Sequence, residues 1–144
     1  MFSIPSTLLD NAPIQLLDKS TLTEVKNTKF DRLNKNFTST SKQYNNKTFK
    51  NCEFNSCKFC FCTFTNVVFN NSQLFFVEFE CCTFISCKFD NCLLSGTQFI
   101  DCKFDNIYFS ESMLLSVSIL HLSLINDYCS AIQFCMLKNT TIDI

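Results

Sequence analysis

From Phe49 onward the chain keeps a five-residue rhythm. Every fifth residue from Phe49 to Phe134 is Phe, Leu or Ile at 17 of 18 positions, and 12 of the 18 phenylalanines lie on this one phase. The pentad CKFDN occurs twice, opening at Cys87 and again at Cys102. An α-helix cannot hold such a phase, because 3.6 residues per turn does not divide five. Internal repetition of this kind restricts the chain to architectures in which one small unit stacks on the next.

A second phase lies two residues earlier and is small or β-branched: Cys52, Cys57, Cys62, Val67, Ser72, Val77, Cys82, Cys87, Cys92, Thr97, Cys102, Ile107. The three remaining phases are mostly polar. Each five therefore reads small, polar, large apolar, polar, polar. Small-x-large alternation is the period-two mark of a half-buried strand. The last two residues must then turn the chain so that the next triplet also points inward, and Asn, Ser and Gly96 at the fifth position suit that turn. A prism follows, with one five on each flat side.

Tandem fives of this Cys-x-Phe type resemble the pentapeptide-repeat proteins over residues 44–144. The resemblance implies an all-β, right-handed quadrilateral β-helix with four fives per turn, here about five coils. Residues 20 apart then stack about 4.8 Å apart. The expected core ladder is Phe49, Phe54, Phe59, Phe64, Phe69, Phe79, Phe84, Phe89, Phe99, Phe104 and Phe109. Residues 1–43 lack the rhythm and are rich in Ser, Thr and Asn. They are expected to be a cap over the first coil's open edge or a disordered leader, with a short helix between Pro13 and Asn27.

The rhythm weakens after Leu124, where Asp127 and Cys129 fall on inward sites. A register break is expected near residues 126–131, with Ile132-Gln133-Phe134 resuming the pattern.

Composition and spacing exclude several functions. Residues 1–43 carry six basic and four acidic residues, net +2; residues 44–144 carry six and nine, net −3, with no Arg. No basic face for direct nucleic-acid binding is visible. The apolar run from Met113 to Ile125 is too short and too polar to span a bilayer. Seven of 11 cysteines take the small inward phase. They read as buried free thiols acting as small hydrophobes, which suits a reducing cytoplasm. Cys57, Cys60 and Cys62 have the look of a metal knot, but the repeat sends Cys60 outward and the other two inward on neighbouring sides. His121 is the only histidine. Its corner column is expected to hold Phe61, Cys81, Asp101, His121 and Thr141, giving at most a surface Asp101–His121 pair. With one Gly there is no phosphate loop, and a filled prism has no cleft. No catalytic residue, metal or cofactor is expected.

What remains is surface. The outward positions around Leu74, Leu94, Leu114 and Phe134, which end at Gln133 and Cys135, place Phe75, Leu93, Met113 and Leu115 in an apolar strip, with Phe76 at the corner beside it. Phe61 stands at another corner. Exposed patches of this sort mark interaction sites, so the expected function is a non-catalytic scaffold docking a protein partner, with a homodimer through the C-terminal coils. The leader adds a resemblance to pentapeptide-repeat effectors that bacteria deliver into host cells. The family also implies an alternative: some members mimic duplex DNA and bind type II topoisomerases, conferring quinolone resistance. Such mimics are long and markedly acidic.

Overall fold

The computed structural model describes residues 24–31, 38–124, 132–133 and 136–143. Among them there is no helix; strands of two or three residues follow one another along the chain. They assemble into four parallel sheets, each taking every fourth strand in order. The first face stacks Glu24–Lys26, Thr48–Lys50, Val68–Asn70, Lys88–Asp90, Tyr108–Ser110 and Ile132–Gln133. The second stacks Lys29–Asp31, Glu53–Asn55, Gln73–Phe75, Leu93–Ser95, Met113–Leu115 and Met136–Lys138. The third runs from Thr38–Thr40 to Thr141–Ile142, and the fourth from Gln43–Asn45 to Ser123–Leu124. This is the expected all-β solenoid of about five coils.

Each three-residue strand turns its middle side chain inward. Phe49, Phe69, Phe89 and Phe109 are in register on the first face. Their rings stack at 5.2, 4.7 and 4.8 Å. Phe59, Phe79 and Phe99 stack likewise at 5.2 and 4.9 Å on the third face. Ring spacing thus equals strand spacing, while rings from adjacent faces meet edge-on, as Phe79 and Phe84 do. Offset stacking along the axis and edge contacts across it are the two arrangements aromatic quadrupoles favour. Phe54, Phe64 and Phe104 are buried in the same interior.

The small inward residues do more than fill space. Cys82, Cys87, Cys92 and Cys102 each donate Sγ–H to the carbonyl of the large inward residue 23 positions earlier, at 3.3, 3.2, 3.1 and 3.2 Å. Ser72, Thr97 and Ser112 make the same bond through oxygen. Cys, Ser and Thr recur at this position because each supplies a donor to a buried carbonyl. The expectation of thiols as plain hydrophobes therefore needs this addition.

The corners explain the polar fifth residue. Eighteen described non-glycine residues have φ between 49° and 58°, nearly all at this corner position. Asn and Ser predominate, as the left-handed region favours. Gly96 is the exception with a separate cause. Its φ of 64° matches its neighbours in the series, so conformation alone does not demand glycine. A Cβ at Gly96 would fall 2.6 Å from Cδ1 of Phe76, one coil earlier. Glycine leaves room for that ring.

Pairing extends past the expected boundary at residue 44. Val25 aligns with Phe49, Phe30 with Phe54, and Tyr44 with Phe64. Glu24–Lys26 is a strand, so the helix expected between Pro13 and Asn27 does not include those residues; Val25 turns inward between outward neighbours and pairs. Phe30 and Ser39 are consecutive inward positions nine residues apart, four more than a five. The thiol bonds record the same insertion: Cys52 reaches Val25 O and Cys57 reaches Phe30 O, 27 positions back rather than 23. The rest of residues 1–23, including the cap or leader reading, lies outside the described residues.

At the other end, Leu124 is followed on the ladder by Ile132, eight residues on, so the register break does occur between them. The phase that resumes differs from the expected one. Ile132 aligns with Phe109, Leu137 with Leu114 and Ile142 with Ile119. Phe134, expected to take the large inward position, lies outside the described residues. Thr140 donates to Leu114 O, 26 positions back, again 23 plus the inserted three.

Candidate interaction surface

Chemistry within the prism is ruled by burial. Desolvation pushes the Cys52 and Cys87 thiols up to about 11, and those of Cys92 and Cys102 up to about 12. Cys82, hydrogen-bonded to Cys62 and buried, is also held well above its ordinary value. Such thiols are poor nucleophiles at neutral pH. Cys57 and Cys62 donate to different carbonyls, Phe30 O and Ser39 O, while Cys60 sits on an outward position, half-buried. The three sulfurs diverge, and among the described residues no group of His, Cys, Asp or Glu is set to hold a metal.

The third corner column holds Ser41, Phe61, Cys81, Asp101 and His121, all at positive φ. Thr141 is not part of it; the three-residue insertion moves it onto the third face, opposite Ser118. Among the described residues no ion pair joins Asp101 to His121.

The second face gathers most of the candidate surface. Its outward positions form two columns. One runs Gln73, Leu93, Met113, Met136, and the other Phe75, Ser95, Leu115, Lys138. The strip therefore ends in Met136 and Lys138 where Gln133 and Cys135 were expected. Gln133 belongs to the first face, opposite Ser110, and Cys135 lies outside the described residues. Met113 and Met136 are exposed, Met136 to 58%; Phe75, Leu93 and Leu115 are half-buried against their neighbours. Phe76 stands beside them on the second corner, 65% exposed, in a column with Ser56, Gly96, Ser116 and Asn139. Phe61, 63% exposed, is separated from this group by the third face.

Two features set this side apart. Over the strands Gln73–Phe75, Leu93–Ser95 and Met113–Leu115 the second face carries no charged side chain, and neither does the second corner; Lys138 and Glu111 stand at its edges. Around that corner the third face continues uncharged through Gln98, Ile100, Ser118 and Leu120. Elsewhere charges are interlaced. Lys58 bridges Glu78 and Glu80 at 3.7 and 3.2 Å, and Asp90 takes Asn70, Ser110 and Lys88. Second, Phe61 and Phe76 hold bulky rings in left-handed conformations at φ 55° and 54°. Each costs on the order of 1–2 kcal/mol; Phe76 packs against Gly96, yet both rings stay mostly exposed. Large exposed rings at corners that elsewhere take Asn or Ser are candidate contact positions.

Ile100 and Met136 widen the surface beyond the strip expected from the repeat. Leu120, which the repeat already turns outward as an apolar residue, joins Ile100 on the third face. Ile100 occupies an outward position of a legible five. Met136 was hidden by the phase change after Leu124.

The family model for pentapeptide repeats matches residues 78–114, with eight copies. No curated protein matches. Among solved structures, a trypsin-treated form of QnrB1, a plasmid-mediated fluoroquinolone resistance protein, is 13% identical, with 81% of this chain and 84% of that one covered and a TM-score of 0.35. Full-length QnrB1 is 16% identical, with 83% and 84% covered and a TM-score of 0.25. These are proteins that the chain is similar to.

Proposed function

We propose that the chain, whose residues 78–114 match the pentapeptide-repeat family model, is a non-catalytic repeat scaffold that docks a protein partner on the uncharged side around Gly96. The carrying observation is the charge-free wall from Gln73 to Leu115, with Met136 beyond it, continued by Ile100 and Leu120. Interface centres are depleted of charge and enriched in Phe and Met. Four strands of the second face and two of the third, at about 4.8 Å apart and three residues each, give a patch on the order of 300 Å². That is the low end for a functional apolar patch and well under half of one side of a standard interface, so the rim must contribute. DNA mimicry finds less support, because the acids are interlaced with lysines and form no continuous field.

A second contact is a homodimer through the last coil. Leu137 and Ile142 hold inward positions yet are 48% and 41% exposed, beside the outer strand edges of that coil. Free buried thiols suit a reducing compartment, either the producing cytoplasm or, if the leader directs delivery, a host cell. No helix among the described residues is long and apolar enough to cross a membrane.

The test compares the wild-type chain with a Leu93→Asp/Met113→Asp variant as bait, in lysates of the source cell and of a host. A protein held by the first and lost by the second supports the reading. Identical sets on both baits, or a topoisomerase retained by both, sink it. Sedimentation of Leu137→Asp separately reads the dimer.

A further inference from the structure

Asn51, Asn71, Asn91 and Glu111 form one corner column between the first and second faces. The asparagines make a polar ladder. Asn71 Nδ2 donates to Asn51 Oδ1, and Asn91 Nδ2 donates to Asn71 Oδ1 at 3.3 Å. Asn71 and Asn91 give their protons toward the N-terminal coil, and Asn51 and Asn71 present their oxygens toward the C-terminal one, so Asn91 Oδ1 is the free atom on the side of Glu111. The next side chain in the column is Glu111, whose carboxylate has no proton to give. Acceptor therefore meets acceptor. Glu111 also adopts φ 51°, where its predecessors in the column are asparagines suited to that conformation. Among the described residues no cation pairs with Glu111.

A groove of about 230 Å³ lies at this place, lined by Asn91, Glu111 and Gln73 on its polar side and by Leu93 and Met113 on its apolar side. A lysine or arginine side chain has this division of character, an aliphatic stem and a charged head rich in donors. We propose that the groove is a socket for a Lys or Arg side chain of the docked protein, its stem against Leu93 and Met113 and its head shared by Glu111 and Asn91 Oδ1. This rests on the docking reading for its source, since the same two apolar residues begin the uncharged wall. It adds the chemistry of the partner: an apolar centre with a basic residue at the edge facing the first corner. The ladder's polarity decides the sign, because a carboxylate-bearing partner would add a third acceptor.

The probe is N-acetyl-arginine amide, titrated into the full chain at low salt and followed by NMR. Shifts are expected at the Asn91 and Gln73 side-chain amides and at the Leu93 and Met113 methyls. Glu111→Gln, on an exposed corner, is expected to weaken binding about fivefold, the scale of an exposed ion pair, and N-acetyl-citrulline amide to bind no better to the wild type than arginine does to the variant. Equal shifts with citrulline, unchanged affinity in Glu111→Gln, or shifts centred on Glu53 or Asp143 would overturn the socket. If arginine binds here and protein capture fails, the socket stands and docking falls; if capture succeeds and arginine does not bind here, the reverse holds.

Discussion

Phe30 and Leu137 occupy the same rung of the second face at opposite ends of the solenoid. Phe30 is 0% exposed, Leu137 48%. The rest of each end agrees. Val25 and Tyr44 are buried in the first coil, while Ile142 stands open in the last. Among the described residues both coils pair in parallel on one side only. The difference shows that an inward position does not bury its side chain by itself. A ring in this prism lies flat between coils, so it needs a neighbour on each side. The first coil's inward side chains are buried and the last coil's are not.

The largest effect should come from uncovering the closed end. Residues 1–23 are the proposed cover, the cap reading of that segment. Deleting them is expected to bare Val25, Phe30 and Tyr44 and cost on the order of 5 kcal/mol, taking about 1.5–3 kcal/mol for each large side chain. Dye binding to exposed apolar surface should rise together with the drop in urea midpoint. A truncated chain that melts like the full one would end the comparison, since both coils would then be equally open.

Single substitutions sharpen it. Phe30→Ala should cost about 3–5 kcal/mol, the range for an aromatic removed from a packed core. Leu137→Ala should cost roughly 1–2 kcal/mol, because about half of its surface is already in water. Urea unfolding of the two variants gives the ratio directly. Equal losses would mean that Leu137 is covered in solution, as it would be in a dimer, and sedimentation of the same sample would then decide.

The corners repeat the contrast on a smaller scale. Gly96 lies between coils and under the Phe76 ring; Asn139, in the same column, belongs to the last coil. Gly96→Ala should cost about 1–2 kcal/mol, from the left-handed backbone and from displacing Phe76. In a Phe76→Ala background the second part should vanish, and a double-mutant cycle reads it. Asn139→Ala should lose less, about 0.5–1 kcal/mol, from the left-handed backbone alone.

The rhythm itself was legible because each strand's centre repeats the same demand for a large apolar side chain. Phe89 or Phe104 could be assigned to the interior from phase alone. Legibility failed where an insertion changed the phase. Val25 and Phe30 sit four residues out of step with Phe49, so a fixed period of five reads them as unrelated chain. Ser39 is on phase but polar; it is accommodated because Tyr44, its neighbour on the next face, meets it hydroxyl to hydroxyl. Met136 escaped for the same reason as Val25, through the three residues inserted after Leu124. The interaction surface was half legible. Phe75, Leu93, Met113 and Leu115 follow from outward positions, whereas the polarity of the asparagine ladder depends on which way each amide points, and spacing carries no such information.

The thiol bonds give the smallest and most local contrast. Cys92, inside the solenoid, donates to Phe69 O at 3.1 Å, and Thr140, in the last coil, makes the equivalent bond to Leu114 O at 2.8 Å. Only the first can titrate. Burial holds Cys92 at about 12 against 9.0 for an ordinary thiol. Between those values the unfolded chain loses the proton and the folded chain keeps it. The site's stability is therefore full below pH 9 and falls as pH rises toward 12, by about 1.4 kcal/mol per unit. Cys92→Ser keeps the donor, as Ser72 and Ser112 do directly before and after it in the column, and removes the titration. At pH 8 the variant should unfold at nearly the wild-type urea concentration. At pH 10 it should be more resistant than the wild type by about 1.4 kcal/mol, whereas Thr140→Ser should shift both conditions equally. If the Cys92→Ser gap does not open between the two pH values, the thiol is not shielded in solution, and the interior coils are no better sealed than the end.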